Sequence, residues 1–152
     1  MKAAVLNPGM LLLLRTRGTR HATELVEKLS SRRFAARRQP ANAKLIEQAR
    51  EIGSGVNRAA ADPAPPVTCL ARSLTAQLLL RRRGIDAELR IGVGRVDVDN
   101  GGATSGPAAS PLAFHAWVEV DGIPVNDADD VAQRFAPFPL EQIDLAGRRG
   151  QA

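Results

Sequence analysis

Three side chains in this sequence have types and an order suited to covalent chemistry: Cys69, His115 and Asp127. Cys69 follows Pro65-Pro66-Val67-Thr68 and opens a segment with helical spacing. Unpaired backbone N–H groups and the positive end of the helix dipole gather at such a start, and both favour a thiolate. A cysteine so placed can fall below the free thiol value of about 8.5, more so beside an imidazolium. His115 lies on an alternating segment that also carries Trp117 and Glu119, and Asp127 follows a tight turn. A thiol, then a histidine, then a carboxylate is the logic of a thiol triad, in which the imidazole takes the thiol proton and the carboxylate fixes its tautomer. Each residue also has a plainer reading. Cys69 suits a small buried hydrophobe, His115 a hydrogen-bonded strand residue, and Asp127 a solvated turn carboxylate. Asp129 and Asp130 are rival orienters, set further beyond the strand.

The triad makes a demand on strand geometry. His115 and Asp127 meet only if they point to the same face. A two-residue loop, Asp121-Gly122, pairs Val120 with Ile123 and sends Asp127 to the opposite face. A three-residue loop, Val120-Asp121-Gly122, pairs Glu119 with Ile123 and sets His115 opposite Asp127. Such loops end on a residue in the left-handed region and form a bulge, a place that suits Gly122. The three-residue loop is therefore expected.

The elements that must hold these residues follow from periodicity. Thr68–Arg83 reads as a helix with Leu70, Leu74, Leu78 and Arg81 on one side, Gly84 as its terminator and Arg81, Arg82 and Arg83 at the cation-favouring end. The period then changes from 3.6 to 2. Ala87–Val96 carries Leu89, Ile91 and Val93 on one face, and Phe114–Val120 and Ile123–Asp127 form a second and third strand. Pro124 implies an edge position or a bulge. Between the first two strands, Asp97–Pro111 (DVDNGGATSGPAASP) reads as a flexible loop. In the tail Val131–Leu140, Phe135, Phe138 and Leu140 are expected to pack on the core. Upstream, residues 1–18 read as weakly structured. Arg20–Arg38 reads as a helix capped by Thr23, with Leu25, Leu29 and Phe34 inward, and Pro40 ends it. A second helix, Ala41–Asn57, turns Leu45, Ile46, Ala49 and Ile52 inward. Helices followed by a helix and three strands give an α+β fold with the cysteine helix packed on a small antiparallel sheet.

Composition narrows the function. The chain has 152 residues, 44% hydrophobic and 24% charged, with one cysteine, so no intramolecular disulfide can form. Cys69, His21 and His115 are the only soft or imidazole ligands, so neither a metal nor a cofactor is expected. The net charge of +5 is divided: residues 1–60 hold 12 Lys/Arg and 4 Asp/Glu, net +8, whereas residues 61–152 hold 9 and 12, net −3. The Pro-rich stretch Ala59–Pro66 marks the boundary, giving a basic helical segment over 1–60 and a catalytic core over 61–152. Arg32, Arg33, Arg37 and Arg38 crowd the end of the first expected helix, either as a solvated face or as a docking surface for an acidic partner. Nucleic acid is disfavoured, because the chain has four Phe, one Trp and no Tyr for base stacking and no recognised binding motif. The excess of Arg, 18 against 3 Lys, fits a GC-rich bacterial genome. The longest apolar run, Gly9–Leu14, is far short of the ~20 residues of a membrane span and makes a poor signal peptide. The chain reads as cytoplasmic.

Two blocks carry a resemblance: CLARSLTAQLLLRRRGIDAELRIGV, then FHAWVEVDGIPVND, with DVAQRFAPF after them. They resemble the stand-alone leader peptidase of lasso-peptide biosynthesis, a family of the transglutaminase-like superfamily. The matching blocks cover residues 68–94 and 113–136. The combined motif is specific, whereas H-A-W-V-E alone occurs across many transglutaminase-like proteins. The resemblance implies a transglutaminase/papain-like core and hydrolysis of the bond between leader and core of a small ribosomal precursor. It implies Cys69 as nucleophile, His115 as base and then acid, and Asp127 as orienter. It further implies a lasso precursor as substrate, a separate leader-recognition protein as partner and a macrocyclising synthetase acting next. The long loop Asp97–Pro111 departs from the pattern by widening the spacing between Cys69 and His115. Arg72 and Ser73 match the motif and contact either substrate or the sheet. Trp117 and Glu119 share the face of His115, with core packing the favoured role for Trp117. The Cys69 backbone N–H is a natural oxyanion donor. No second donor is evident, and Gln77 lies too far down the helix. Acyl transfer to an amine uses the same triad, and a non-enzymatic basic binding module remains the third reading.

Overall fold

The computed structural model describes residues 2–37, 42–61, 67–95 and 112–138. In chain order the elements are α1 (Lys2–Arg37), α2 (Ala43–Ala61), α3 (Cys69–Arg81), β1 (Glu88–Arg95), β2 (Leu112–Val120), β3 (Ile123–Pro124), α4 (Val131–Arg134) and β4 (Ala136–Pro137). The architecture is α+β: helices against a small, curled, antiparallel sheet of order β3-β2-β1-β4. The expected loop at Asp97–Pro111, Pro40, Arg38 and Leu140 lie outside the described residues, as do the side chains of Arg32, Arg33, Phe34 and Arg37.

At the centre stands α3, buried along Ser73–Leu80. Thr68 caps its start by accepting a hydrogen bond from the Ala71 N–H at 3.3 Å. Gly84, at φ 81°, ends it: Gly84 N–H donates to the Arg81 carbonyl and Ile85 N–H to the Leu80 carbonyl, the paired bonds of a Schellman motif. Two apolar clusters cover α3 along most of its length. One apolar cluster joins Ala71, Leu74 and Leu78 to Met10, Leu11, Ala22 and Val26 of α1 and to Leu89, Ile91 and Ala116 of the sheet. A second joins Ala76, Leu79 and Leu80 to Leu45, Ala49 and Val56 of α2 and to Val118, Val120 and Val125.

The N-terminal third departs from the sequence expectation. Residues 2–18 are helical, despite Asn7-Pro8-Gly9, because Met10 and Leu11 bury against α3 and outweigh local propensity. The break falls at Gly18 (φ 76°, ψ 176°). Thr23 is therefore inside a helix, not at its cap, and its hydroxyl bonds back to the Thr19 and Arg20 carbonyls. The inward stripe is Ala22, Val26 and Ser30, whereas Leu25 and Leu29 are exposed. Small residues on that stripe let α1 lie close to α3. In α2 the helix is capped by Asn42, whose Oδ1 accepts from Leu45 N–H at 2.9 Å, and it runs through Gly53 and Gly55 to Ala61. Leu45 and Ala49 are buried as expected, with Ile46 and Ile52 partly so. No described helix is long and apolar enough to cross a membrane.

In the sheet, β1 and β2 pair from Glu88↔Glu119 to Arg95↔Leu112. Pro124 lies on an edge strand, as its missing N–H requires. A fourth strand, β4, was not expected: Ala136 and Pro137 pair with Val93 and Gly92 on the far edge.

Gly53 is where α2 closes on the loop after β3. A Cβ there would overlap the Val125 carbonyl and lie 2.9 Å from the Asn126 Cα, both fixed backbone. We predict that Gly53→Ala destabilises the fold by about 1–3 kcal/mol, a fall in melting temperature of about 2–4 °C per kcal/mol for a chain of this size. An unchanged thermal midpoint would show that α2 is free to shift.

Candidate active site

The hairpin after β2 is the point on which the site turns. Asp121 (φ 53°) and Gly122 (φ 74°) both lie in the left-handed region, and Val120 pairs with Ile123. This is a two-residue loop of the type that Asp-Gly favours, not the three-residue loop the triad called for. On a regular ladder that register would turn Asp127 away from His115. The ladder is not regular. Val125 N–H donates to the Val118 carbonyl at 3.0 Å, but the Val118 N–H is not returned to the Val125 carbonyl. It donates instead to Asn126 Oδ1 at 2.7 Å. The chain bends out of the sheet over Val125–Asp127, and the bend brings Asp127 back towards His115.

The contact is short: His115 Nε2 lies 2.6 Å from Asp127 Oδ2, each side chain 21% exposed. With Nε2 so engaged, Nδ1 remains for the Cys69 thiol, which hydrogen-bonds the ring. The thiol sits at the first residue of α3 and also receives backbone hydrogen bonds from Ala116 and Leu70. Asp127 Oδ1 accepts from the Ala128 N–H at 2.8 Å and faces Arg134 Nη2 at 3.6 Å. Asp129 and Asp130 are engaged elsewhere, with Arg50 and Arg134 respectively.

The electrostatics follow from these contacts. Hydrogen bonds to Asp127 and then to Cys69 outweigh burial and push the His115 imidazole up to about 9. The bond to His115 outweighs burial and brings the Cys69 thiol below its ordinary value. For Asp127, burial raises the carboxyl, but the His115 bond, the Ala128 N–H and the charges of His115 and Arg134 together bring it down. The upward shift of His115 and the downward shift of Cys69 both favour a thiolate–imidazolium pair, with the Asp127 carboxylate behind the ring.

The ring of His115 is packed as well as bonded. Phe135 lies with its ring centroid 4.8 Å away, and Trp117 stacks at 6.4 Å. Gly92 and Gly94 of β1 make this possible. A Cβ at Gly92 would stand 2.8 Å from Phe135 Cβ and 2.9 Å from the Trp117 ring. Trp117 is fully buried, and its Nε1–H donates to Glu119 Oε1 at 2.8 Å. Glu119 Oε2 accepts from Arg90 Nε at 2.9 Å. Trp117 and Glu119 therefore serve as packing and anchor in this structure.

Ser73 is fully buried: its hydroxyl donates to the Ala116 carbonyl at 2.9 Å and accepts from Asn126 Nδ2 at 3.1 Å. Gln77 spends its amide on the Ala87 carbonyl at 3.2 Å. Arg72 differs from these. Its Nε is buried without a hydrogen-bond partner, and it forms no ion pair among the described residues. Sequence reasoning assigned no role to Asn126 or Arg134, and gave Phe135 only a place in the core. Asn126 sits between the third strand and Asp127 in V-N-D, where a polar residue in an otherwise buried position was the available signal.

A thiol at a helix start, a histidine on the neighbouring strand and a carboxylate past the next turn define the arrangement of thiol acyl-transfer enzymes. The chain belongs to the transglutaminase-like superfamily, whose family model matches residues 10–139. No curated protein and no solved structure matches the chain.

The charge state is directly measurable. Alkylation of Cys69 by iodoacetamide should rise at a lower pH than alkylation of a free thiol, because the His115 bond brings the thiol below its ordinary value. A second change should appear near pH 9, where His115 loses its proton and the thiolate its counter-charge. Asp127→Asn should move the onset of alkylation upward. A wild-type profile that rises only near a free thiol's value of about 8.5 would overturn the ion pair.

Proposed function

We propose that the protein is a cysteine peptidase that removes the leader from a ribosomally made lasso-peptide precursor. The observation that carries the reading is the short His115–Asp127 contact beside a depressed thiol, together with the C-L-x-R-S-L and H-A-W-V-E blocks. In the reaction, the Cys69 thiolate attacks the carbonyl carbon of the bond between leader and core. The Cys69 backbone N–H, at the start of α3, stabilises the developing oxyanion. His115 passes its Nδ1 proton to the leaving amine, and the C–N bond breaks to leave a thioester on Cys69. His115, now neutral, takes a proton from water, which attacks the thioester, and the thiolate–imidazolium pair is restored. Asp127 holds the ring so that Nδ1 faces the sulfur throughout. No metal or cofactor is needed by any step.

The proposed partners are the precursor, a separate leader-recognition protein and the macrocyclising synthetase, with the basic segment 1–60 as a docking surface. The protein would act in the cytoplasm. Acyl transfer to an amine is the alternative the same site supports, since only the acceptor differs.

Cys69→Ala should abolish cleavage of the cognate precursor while the chain stays folded, and His115→Ala should be comparably severe. Asp127→Asn should retain residual turnover, because orientation is one part of a general acid–base contribution of about 10²–10⁴. Mass spectrometry of the products decides between the two chemistries: hydrolysis adds water to the leader, transfer adds the amine. Full activity in Cys69→Ala would remove the nucleophile assignment.

A further inference from the structure

Beside Asp127 of the triad lies a groove of about 440 Å³, walled by Arg50 and Asn57 of α2, Arg72 of α3 and Asn126–Ala128. Its charges are unequally committed. Asp127 is held by His115 and Arg134. Arg50 pairs with Asp129 at 2.6 Å. Arg72 alone among these charged residues brings a cation with no ion pair among the described residues and a buried Nε–H without an acceptor. A buried donor left unmade costs about 1–3 kcal/mol, more when charged. The planar guanidinium is the side chain that best matches a carboxylate.

Position says which carboxylate. Arg72 is three residues beyond Cys69 on α3, and residues so spaced are neighbours about 5–6 Å apart on a helix surface. An extended peptide advances about 3.3–3.6 Å per residue. A side chain entering the groove while its backbone lies on Cys69 therefore comes from within about three residues of the bond under attack.

We propose that Arg72 is a specificity-determining residue, and that the groove is a subsite for an acidic side chain of the peptide substrate within three residues of the cleaved bond. The inference rests on the peptidase reading. Arg72 binds the carboxylate through the Nη–H groups of its guanidinium, its Nε being closed off, and a glutamine or asparagine at the same substrate position leaves the guanidinium's charge unmatched.

The test uses the full chain and a series of alanine-based hexapeptides with a central α-ketoamide, which carry residues on both sides of the electrophilic carbon. In each, one position holds Glu or Gln. The Cys69 thiolate adds to the ketone carbon, forming the C–S bond, while the oxygen takes the His115 proton. Protection of Cys69 against iodoacetamide reads occupancy. At one position at least, Glu should protect at about tenfold lower concentration than Gln. Arg72→Gln should erase that difference, and Arg72→Lys should keep part of it. If Glu and Gln protect equally at every position in the wild type, the subsite is wrong while the thiol chemistry stands. If no ketoamide protects Cys69, the peptidase reading fails and the subsite falls with it.

Discussion

One backbone N–H, that of Val118, decides where Asp127 stands. In a regular hairpin it would donate to the Val125 carbonyl and hold the third strand flat for several more residues. Asn126 Oδ1 takes the bond instead, so the chain leaves the ladder one residue before the carboxylate. The rest of Asn126 is spent as well: its Nδ2 donates to Ser73 Oγ and its carbonyl accepts from Asn57 Nδ2. A single side chain and its backbone thereby tie β2, α3 and α2 together at the bend. Buried polar networks of this kind are rigid when satisfied and costly when a member is lost. The bend is consequently a built feature, and the Gly53 approach to Val125 closes it from the helical side.

The electrostatics of the site depend on that placement. The shifts at Cys69, His115 and Asp127 are not three independent events, since each group is the largest or second cause of its neighbour's shift. Move Asp127 off the ring and His115 loses its leading source of basicity, and Cys69 in turn loses its counter-charge. The helix start adds a contribution that does not pass through His115, through the Leu70 N–H and the Ala116 N–H on the sulfur. Arg134 acts on the far end of the same chain: it too lowers the Asp127 carboxyl by charge, at 3.6 Å and from an exposed position where solvent weakens it. Asp127 therefore stays ionised without surrendering the short contact to the imidazole.

What the residues disclosed in advance was mostly local. The Gly84 stop of α3, the helix–strand change of period after it and the β1–β2 alternation depend on residues adjacent in sequence and are readable there. The two-residue hairpin is readable too, since Asp-Gly is its usual signal, but on a flat ladder only a three-residue loop lets His115 meet Asp127. The missing element was a side chain acting as a strand acceptor, which periodicity does not encode. The same blindness accounts for residues 2–18, helical because α3 offers Met10 and Leu11 a partner, and for the choice of Ala22, Val26 and Ser30 over Leu25 and Leu29 as the inward stripe. Close helix packing rewards small residues, whereas a hydrophobicity pattern rewards large ones. β4 went unseen because two residues paired only by a distant strand carry no period of their own.

His115 is held by packing as well as by bonds, and the sheet makes room for that packing with absent atoms. A histidine that must present Nδ1 to sulfur and Nε2 to a carboxylate has little rotational latitude. The Trp117 and Phe135 rings limit it from two sides, and Trp117 is itself locked by Glu119, which Arg90 holds in turn. Two rings and an imidazole cannot gather over a strand with ordinary side chains beneath them. Gly92, the cross-strand partner of His115, leaves the space, and Gly94 leaves it for the turn that carries Phe135. Glycine in a strand interior is a local loss of stability. Its presence twice beneath His115 is explained by what it admits: an aromatic clamp that fixes the imidazole, so that in the proposed reaction its orientation need not be gained after substrate binds.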